Sequence, residues 1–288
     1  MRFEPLDGDR VARALTTRWL GRTCECLATC ASTNDVAAAR GRAGAPEGLV
    51  VITDEQTGGR GRLGRSWHAT PRANLTFSVL LRPERPPVEV PPLTLLAGAA
   101  VAAAIAPFGV QPRLKWPNDV LLEGRKVAGI LCELGGGGPD RTHLVVGVGI
   151  NVHQAREDFP PALRDTATSL WMATGRRIPR GLLLCRLFAR LEAWEVSLVR
   201  DGPMPVAGAA AARMPWLGRR VRIVSGTDRW EGTAVRLEPD GALLMALPEG
   251  GTRRLVAGDV TLAGDPAANT GGACGEGETG HGGRDGQA

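Results

Sequence analysis

One stretch of the sequence constrains the fold most strongly, because it predicts a helix that needs a sheet to cover. In residues 91–108 the apolar side chains recur every three or four positions, the spacing that keeps one face of an α-helix apolar along its whole length. That face comprises Leu93, Leu96, Ala97, Ala100, Val101, Ala104, Ile105 and Phe108. A helix of this kind has to be buried against another layer, and here that layer is predicted to be a sheet.

Apolar runs on both sides of this helix predict the strands of the sheet. Residues 49–52, 74–81 and 144–152 each read as one buried strand, and residues 113–134 read as two or three strands joined by turns. A second long amphipathic helix is marked by Leu184, Leu187, Phe188, Leu191, Trp194 and Leu198. The sequence therefore predicts one large domain covering residues 1–213.

Three local predictions complete this domain. Residues 9–20 place Val11, Leu15 and Trp19 at helical spacing, which predicts an amphipathic helix. Ser32 is a candidate N-cap of the next helix, and Asp35 stands where the acid of a capping box would be. Residues 169–171 are predicted to lie in an irregular link.

The sequence changes character after residue 215. Residues 216–263 contain short strand-like runs separated by Gly, Asp and Pro turns, which predicts a small β-barrel of SH3-like size. Residues 264–288 are rich in Gly and have no apolar period, so they are predicted to be a disordered tail. The expected organisation is a large domain, a small barrel and a tail.

Composition narrows the classes of function. The N-terminus has charged residues and no apolar leader, so a cytoplasmic protein that does not enter a membrane is expected. The six cysteines form no CxxC pair, which favours reduced thiols over a metal site. The formal net charge is +5, and a basic protein suits an anionic ligand but equally suits DNA.

The loop at residues 54–67 predicts an anion-binding site. It contains four glycines, which let the backbone approach a ligand closely, and three arginines, whose planar forks fit phosphate and carboxylate. It follows one predicted strand and precedes another, so it is suspended from the sheet. A disordered nucleic-acid-binding segment is the alternative interpretation, but such tracts repeat and this one occurs once.

Lysine is used at two positions only. Of the 35 basic residues, 33 are arginine, and the exceptions are Lys115 and Lys126. A compact ammonium with rotatable donors differs chemically from a guanidinium, so these two positions are candidate functional sites.

Five short motifs, in order, resemble the biotin protein ligase family. They are Ser32-Thr33-Asn34, Glu55-Gln56 with residues 59–67 (GRGRLGRSW), residues 115–119 (KWPND), residues 124–131 (GRKVAGIL) and residues 147–151 (GVGIN). The resemblance covers residues 30–152, and the small C-terminal barrel matches the family's second domain. It implies an α+β fold in which a mixed β-sheet catalytic domain of the biotin/lipoate ligase type is covered by helices, plus an SH3-like barrel.

The resemblance implies an activity. The family uses ATP and magnesium to convert biotin to biotinyl-5′-AMP and then transfers biotin to one lysine of a carboxylase carrier domain. Biotin and ATP with Mg²⁺ are then substrates, and no tightly bound cofactor is expected. Only 31 residues precede Ser32, too few for a helix-turn-helix domain, so a ligase that does not bind DNA is expected. A homodimer is left open.

The resemblance also implies residue roles. Lys126 and Arg62 would be catalytic, because the reaction brings two anions together and needs fixed cations. Asp119 is the candidate magnesium contact. Biotin would be held by Ser32, Thr33, Asn34, Gln56, Gly59, Arg60, Lys126 and Gly129. ATP would be held by Arg60, Arg62, Arg65, Trp67, Lys115, Asn118 and Asn151, with Trp67 offering a face to adenine.

Two other functions stay open on the sequence alone. A lipoate ligase would share the fold, although its arginine–glycine motif differs from the one here. A basic nucleic-acid-binding module would use the loop and the barrel, but it gives no reason for Gln56, Asn118 and two isolated lysines to occur together.

Overall fold

The computed structural model of the chain describes residues 5–82, 90–136 and 142–262. A seven-stranded sheet lies at its centre, in the order β1-β2-β3-β7-β6-β5-β4. Strands β1 and β2 are parallel and the other neighbouring pairs are antiparallel, so the sheet is mixed, as the sequence predicts. The strands are β1 (Cys24–Cys30), β2 (Val50–Gln56), β3 (Asn74–Leu81), β4 (Arg113–Lys115), β5 (Asp119–Leu122), β6 (Arg125–Gly135) and β7 (His143–Asn151).

Helices cover both faces of this sheet. The described helices are α1 (Gly8–Ala14), α2 (Thr33–Arg42), α3 (Val90–Ile105), α4 (Leu170–Thr174), α5 (Arg180–Asp201) and α6 (Met204–Ala211). Helix α3 packs against α5, α6 and β6 on one face, while α2 packs against β2, β3 and β7 on the other. The larger core lies between the sheet and α3 with α5, and a smaller one lies under α2.

Helix α3 is the predicted apolar helix. The stretch Pro91–Phe108 is long and apolar enough to cross a membrane by length and composition, a test that the core helix of a soluble protein also passes. Of that window, 72% is buried inside the protein. The apolar face therefore packs into the protein core, as the sequence predicts.

Two local predictions are wrong, and in each case a hydrogen bond explains why. Helix α1 ends at Ala14, because the backbone N–H groups of Arg18, Trp19 and Leu20 donate to the Glu192 carboxylate on α5 at 2.9–3.1 Å. The expected irregular link at 169–171 instead begins helix α4, whose N-terminus is capped by the Ser169 hydroxyl. Helical periodicity reports neither the long-range contact with Glu192 nor the local cap at Ser169.

A five-stranded antiparallel sheet follows the large domain. Its order is β11-β10-β9-β8-β12, an open sheet among the described residues, so the sheet itself is confirmed while the closed barrel stays a prediction. Its strands are β8 (Arg220–Ser225), β9 (Asp228–Leu237), β10 (Leu243–Ala246), β11 (Thr252–Leu255) and β12 (Asp259–Leu262). The predicted disordered tail, residues 264–288, lies outside the described residues.

Two tryptophans join the small sheet to the large domain. The Trp116 indole donates to the Gly241 carbonyl at 2.9 Å, and the Trp216 indole donates to the Leu114 carbonyl at 2.8 Å. Both rings are buried, and apolar residues of the two parts belong to one continuous core. The small sheet is therefore packed onto the large domain by shared apolar contacts.

Candidate functional site

The floor of a cleft is formed where β3 meets β7. On β3 the polar residues Asn74, Thr76 and Ser78 alternate with core residues, and the register pairs them with Asn151, Gly149 and Gly147 of β7. Because alternate residues of a strand share a face, the site face combines short polar side chains with glycines. That combination leaves room above the sheet.

The two β7 glycines are required by neighbouring side chains. A Cβ at Gly147 would overlap the Asn34 carboxamide, and a Cβ at Gly149 would overlap the Trp67 indole. Neither glycine has a positive φ, so space rather than backbone conformation dictates them. The glycines of the GVGIN motif therefore create the volume of the cleft.

The start of helix α2 forms one wall. Ser32 is the N-cap residue, as predicted, but its hydroxyl makes no cap hydrogen bond, and Ser32 and Thr33 are both buried. The Thr33 backbone N–H donates to the Gln56 carboxamide oxygen at 2.9 Å. Thr33 and Gln56 are thereby held side by side in the cleft.

Asn34 is held by the protein itself. Its carboxamide NH₂ donates to the Glu133 carboxylate at 2.6 Å, and its oxygen accepts from the Ser78 hydroxyl at 2.6 Å. Both ends of the side chain therefore already have partners. This geometry fits a residue that shapes the cleft wall, and a direct contact with biotin stays a prediction.

The cleft between α2, the sheet and the glycine–arginine loop has a volume of about 320 Å³, part of which is open to solvent. Its lining brings together five of the residues predicted to bind biotin, and it also includes Trp67, which is assigned above to ATP. The lining residues are Ser32, Thr33, Asn34, Gln56, Arg60, Trp67, Thr76, Leu131, Gly147, Val148 and Gly149.

Arg60 spans the mouth of the cleft. Its guanidinium makes two hydrogen bonds of 2.6 and 2.7 Å to Asp35 on α2, and it lies 3.4 Å from Glu133 on β6. The Arg60 hydrogen bonds hold the pKa of the Asp35 carboxyl below its usual range. Asp35 is thus an ion-pair partner of the loop, so its interpretation as a capping-box acid is wrong.

The other two loop arginines face the small C-terminal sheet. The Arg65 guanidinium lies 2.8 Å from the Asp259 carboxylate at the start of β12. Arg62 is more buried, contacts the Gly258 carbonyl at 3.4 Å and lies 3.9 Å from Asp259, and burial lowers the pKa of its guanidinium. Each arginine of the loop thus has a carboxylate near it.

Lys126 lies beside Trp67, next to the cleft, and is not itself one of the lining residues. Its ammonium is 2.6 Å from the Asp119 carboxylate and 5.7 Å from the centre of the Trp67 ring. A Cβ at Gly129 would come within 3.0 Å of the Lys126 side chain and 3.3 Å of Trp67, so the glycine allows the lysine to lie across β6. The side chains of Lys126, Asp119 and Trp67 therefore form one cluster.

The remaining residues predicted to bind ATP lie around this cluster. The Asn118 NH₂ donates to the Ile130 carbonyl at 2.9 Å, and its oxygen lies 3.4 Å from Arg62. Lys115 is on β4, opposite Asp119 in the register. Neither residue lines the cleft.

The Asn151 side chain is buried and is hydrogen-bonded within the protein. Its NH₂ donates to the Thr168 carbonyl at 3.0 Å, and its oxygen accepts from Asn74 and Gln154, each at 3.1 Å. The side chain is 3% exposed, and its bonds hold the segment just before the α4 N-cap against the sheet floor. An adenosine contact for Asn151 stays a prediction.

Sequence reasoning missed four residues at this site. Glu133, Asp259, Ser78 and Thr76 are not in any of the recognised motifs, yet they contact the site residues or line the cleft. For Ser78 and Thr76 a signal existed, since they are polar residues at alternate positions of an otherwise apolar strand. For Glu133 and Asp259 only the folded structure reveals the contact.

Comparison with known families agrees with this geometry. The profile of the "Biotin/lipoate A/B protein ligase family" matches residues 27–151, and that of the "Biotin protein ligase C terminal domain" matches residues 216–262. The first profile spans the cleft and the second spans the small sheet.

Named relatives and solved structures point the same way. The chain is 39% identical over 248 residues to the biotin–[acetyl-CoA-carboxylase] ligase of Mycobacterium tuberculosis, covering 83% of this chain and 88% of that protein. It is 34% identical to the ligase of the same name from Paracoccus denitrificans, covering 69% and 85%. The biotin protein ligase of Aquifex aeolicus in complex with biotin and ATP superimposes with a TM-score of 0.73 at 30% identity, covering 84% and 98%. The chain belongs to the biotin protein ligase family.

Proposed function

We propose that this protein activates biotin with ATP to form biotinyl-5′-AMP and then transfers the biotinyl group to a lysine of a carboxylase carrier domain. In the first step a biotin carboxylate oxygen bonds to the α-phosphorus and pyrophosphate leaves. In the second the lysine amine attacks the acyl carbon and AMP leaves. The observation that carries the proposal is a cleft lined by hydrogen-bonding groups, with a lysine beside it whose ammonium lies 5.7 Å from the centre of the Trp67 ring that lines the cleft.

Hydrogen-bonding groups at the α2 end suit the ureido ring of biotin. Ser32, Thr33 and Gln56 supply hydroxyl and carboxamide groups, and the first two are buried, so that an unpaired polar ring beside them would be costly. The apolar lining from Leu131 and Val148 suits the sulfur ring and the aliphatic chain. Asn34 and Gly59 support this end by shaping it.

Cations beside Trp67 suit the reacting anions. The Lys126 ammonium, held 2.6 Å from the Asp119 carboxylate, is the cation that we assign to the biotin carboxylate and the α-phosphate. A fixed cation is worth most where charge builds in the transition state. Arg62, half-buried beside Asn118, would add a second positive charge.

ATP and magnesium complete the proposed substrates. Mg²⁺ commonly binds through one or two carboxylates plus the phosphates of a nucleotide, and it would neutralise phosphate charge as pyrophosphate leaves. Asp119 is compatible with one such contact. Arg65, Lys115 and Asn151 keep their proposed places around the nucleotide, and Trp67 keeps its proposed contact with adenine.

The remaining proposals concern the protein's setting. An acceptor carrier domain is the macromolecular partner, and neither DNA nor a membrane is one. We also propose that the protein is cytoplasmic and that the small sheet closes into an SH3-like barrel. The proposed domains span residues 1–213 and 216–263. Whether the protein is a homodimer is left open.

The alternative is a lipoate ligase, since the family profile spans both classes. Both relatives quoted above are named as biotin ligases, which favours biotin. The test is ATP–pyrophosphate exchange by the purified protein with Mg²⁺ and either biotin or lipoate. We expect exchange with biotin alone. Exchange with lipoate and not with biotin would reverse the assignment, and exchange with neither would refute adenylation.

A further inference from the structure

Thr76 carries a buried hydroxyl that has no hydrogen-bond partner among the described residues. The residue is 5% exposed and lies on β3, in the middle of the cleft floor between Thr53 of β2 and Gly149 of β7. An unpaired buried hydroxyl is costly, and native proteins seldom keep one without a reason.

Of the three polar residues on this face of β3, only Thr76 lacks a side-chain hydrogen-bond partner among the described residues. Two residues along the same face of β3, the Ser78 hydroxyl contacts both Thr33 and Asn34 at 2.6–2.7 Å. Two residues in the other direction, Asn74 bonds to Asn151 at 3.1 Å. The polar groups on either side of Thr76 are therefore paired within the protein, while Thr76 faces the open volume of the cleft.

A second unpaired polar group lies nearby. The Trp67 indole N–H is also buried without a partner, and it sits directly over Gly149, the residue opposite Thr76 in the register. Two unsatisfied groups that converge on one part of the cleft indicate a polar atom supplied by the ligand. An indole N–H can only donate, so the ligand atom expected there is an acceptor.

We infer that Thr76 is a specificity-determining residue that hydrogen-bonds the polar bicyclic head of biotin in the cleft. This inference rests on the proposed function, because it names a further contact of the same ligand. If so, part of the selectivity for biotin comes from a residue of β3, outside the recognised motifs. A ligand without an acceptor at this depth leaves the Trp67 indole N–H unpaired and is disfavoured.

The test compares Thr76→Val with the wild-type protein. Valine keeps the volume and the branched shape but removes the hydroxyl, so biotin should bind on the order of 10-fold more weakly, as for the loss of one hydrogen bond. Isothermal titration with biotin measures the affinity, and exchange kinetics should show a raised KM for biotin with the KM for ATP unchanged.

Two matched variants separate a ligand contact from a structural effect. Thr76→Ser keeps the hydroxyl and should bind biotin within about threefold of wild type. Thr168→Val makes the same change at a fully buried hydroxyl that also has no described partner but lies outside the cleft, and it should leave binding unchanged.

Stability of the free protein gives an independent readout. Because the Thr76 hydroxyl makes no bond in the protein, Thr76→Val should melt at or above the wild-type temperature while binding biotin more weakly. A variant that melts lower would show that the hydroxyl is structural, and a variant that binds as well as wild type would show that it does not touch the ligand. Either result overturns the inference and leaves the proposed function intact.

Failure of the proposed function has a different signature. If the wild-type protein binds no biotin in the same titration, the ligand itself is wrong and the inference falls with it. If the wild type binds biotin and Thr168→Val weakens binding as much as Thr76→Val does, the position of Thr76 in the cleft has no special role, and the inference is contradicted alone.

Discussion

At the residue scale, the site depends on a few side chains whose positions are fixed by neighbours. Lys126 is held between Asp119 and Trp67, and Arg60 is held between Asp35 and Glu133. These ion pairs are partly exposed, so each contributes little to stability. These contacts hold the two cationic side chains at the edges of the cleft.

Replacing Lys126 tests whether that charge serves chemistry. Lys126→Ala should lower the rate of biotin-dependent ATP–pyrophosphate exchange by on the order of 10²-fold, comparable to removing one donor from an oxyanion hole. Biotin affinity should change much less, because the charge is needed most in the transition state. Lys126→Arg should also be impaired, since a planar fork cannot occupy the same point.

The adjacent Arg125 provides the matched control. It is also cationic and lies on β6, and its nearest carboxylate, Glu123, is 3.6 Å away and mostly exposed. Arg125→Ala should keep the wild-type exchange rate. Equal rates for Lys126→Ala and wild type would remove Lys126 from the mechanism.

A second residue-scale prediction concerns the glycine under Trp67. Gly149→Ala places a methyl group where the indole lies, so the ring must move into the cleft or away from it. Biotin affinity, measured by titration, should fall by on the order of 10- to 100-fold, the range for overpacking a filled site. Gly208→Ala, on helix α6 with open space around it, should bind biotin normally.

At the scale of elements, the motifs predicted which segments meet in the fold. They did not predict the side-chain contacts that fix each segment in place. The alternation of β3 and the apolar period of α3 are visible in the sequence, and both elements form as predicted. The early end of α1 was not predictable, because it depends on Glu192, which is 172–174 residues away in sequence. The ion pair of Arg65 with Asp259 was not predictable either, because the two residues are 194 positions apart in sequence.

Helix α5 carries two glutamates that should respond to pH in opposite ways. Burial, together with Glu47 and Glu192, raises the pKa of Glu195. A raised pKa in the folded state means that this group's contribution to stability is complete below its usual pKa and is lost as the pH rises through the raised value. Glu195→Gln should therefore melt about 2 °C higher than wild type at neutral pH, and the difference should vanish below about pH 4.

Glu192 is the control for this prediction. Burial alone would raise the pKa of its carboxyl, but hydrogen bonds from three backbone N–H groups lower it overall. A lowered pKa contributes stability above the usual value, and that contribution is lost as the pH falls through the lowered value. Glu192→Gln should therefore melt lower at neutral pH. Thermal melts at several pH values measure both variants, and shifts of the same sign would contradict the assignment.

At the scale of the whole molecule, the small sheet and the large domain share one core. Trp116 and Trp216 are both buried at their junction, and each indole bonds to a carbonyl of the other part. The β12 end of the small sheet also supplies the carboxylate that Arg65 contacts. The second domain therefore helps to position the loop that borders the cleft.

Removing one of these tryptophans tests the shared core. Trp216→Ala should destabilise the protein by about 3–5 kcal/mol, the range for a buried aromatic, and calorimetry should show one transition at a lower temperature. Val235→Ala, in the same sheet but 42% exposed, should have little effect. Two separate transitions in the wild type would show that the parts unfold independently.

The central claim is that one cleft binds biotin and presents its carboxylate to ATP beside Lys126. It is tested most directly by incubating the purified protein with biotin, ATP and Mg²⁺ and analysing the protein-bound products by mass spectrometry. We predict close to one biotinyl-5′-AMP per protein molecule, with one pyrophosphate released for each adenylate formed. Bound biotin and intact ATP, with no adenylate and no pyrophosphate, would contradict it.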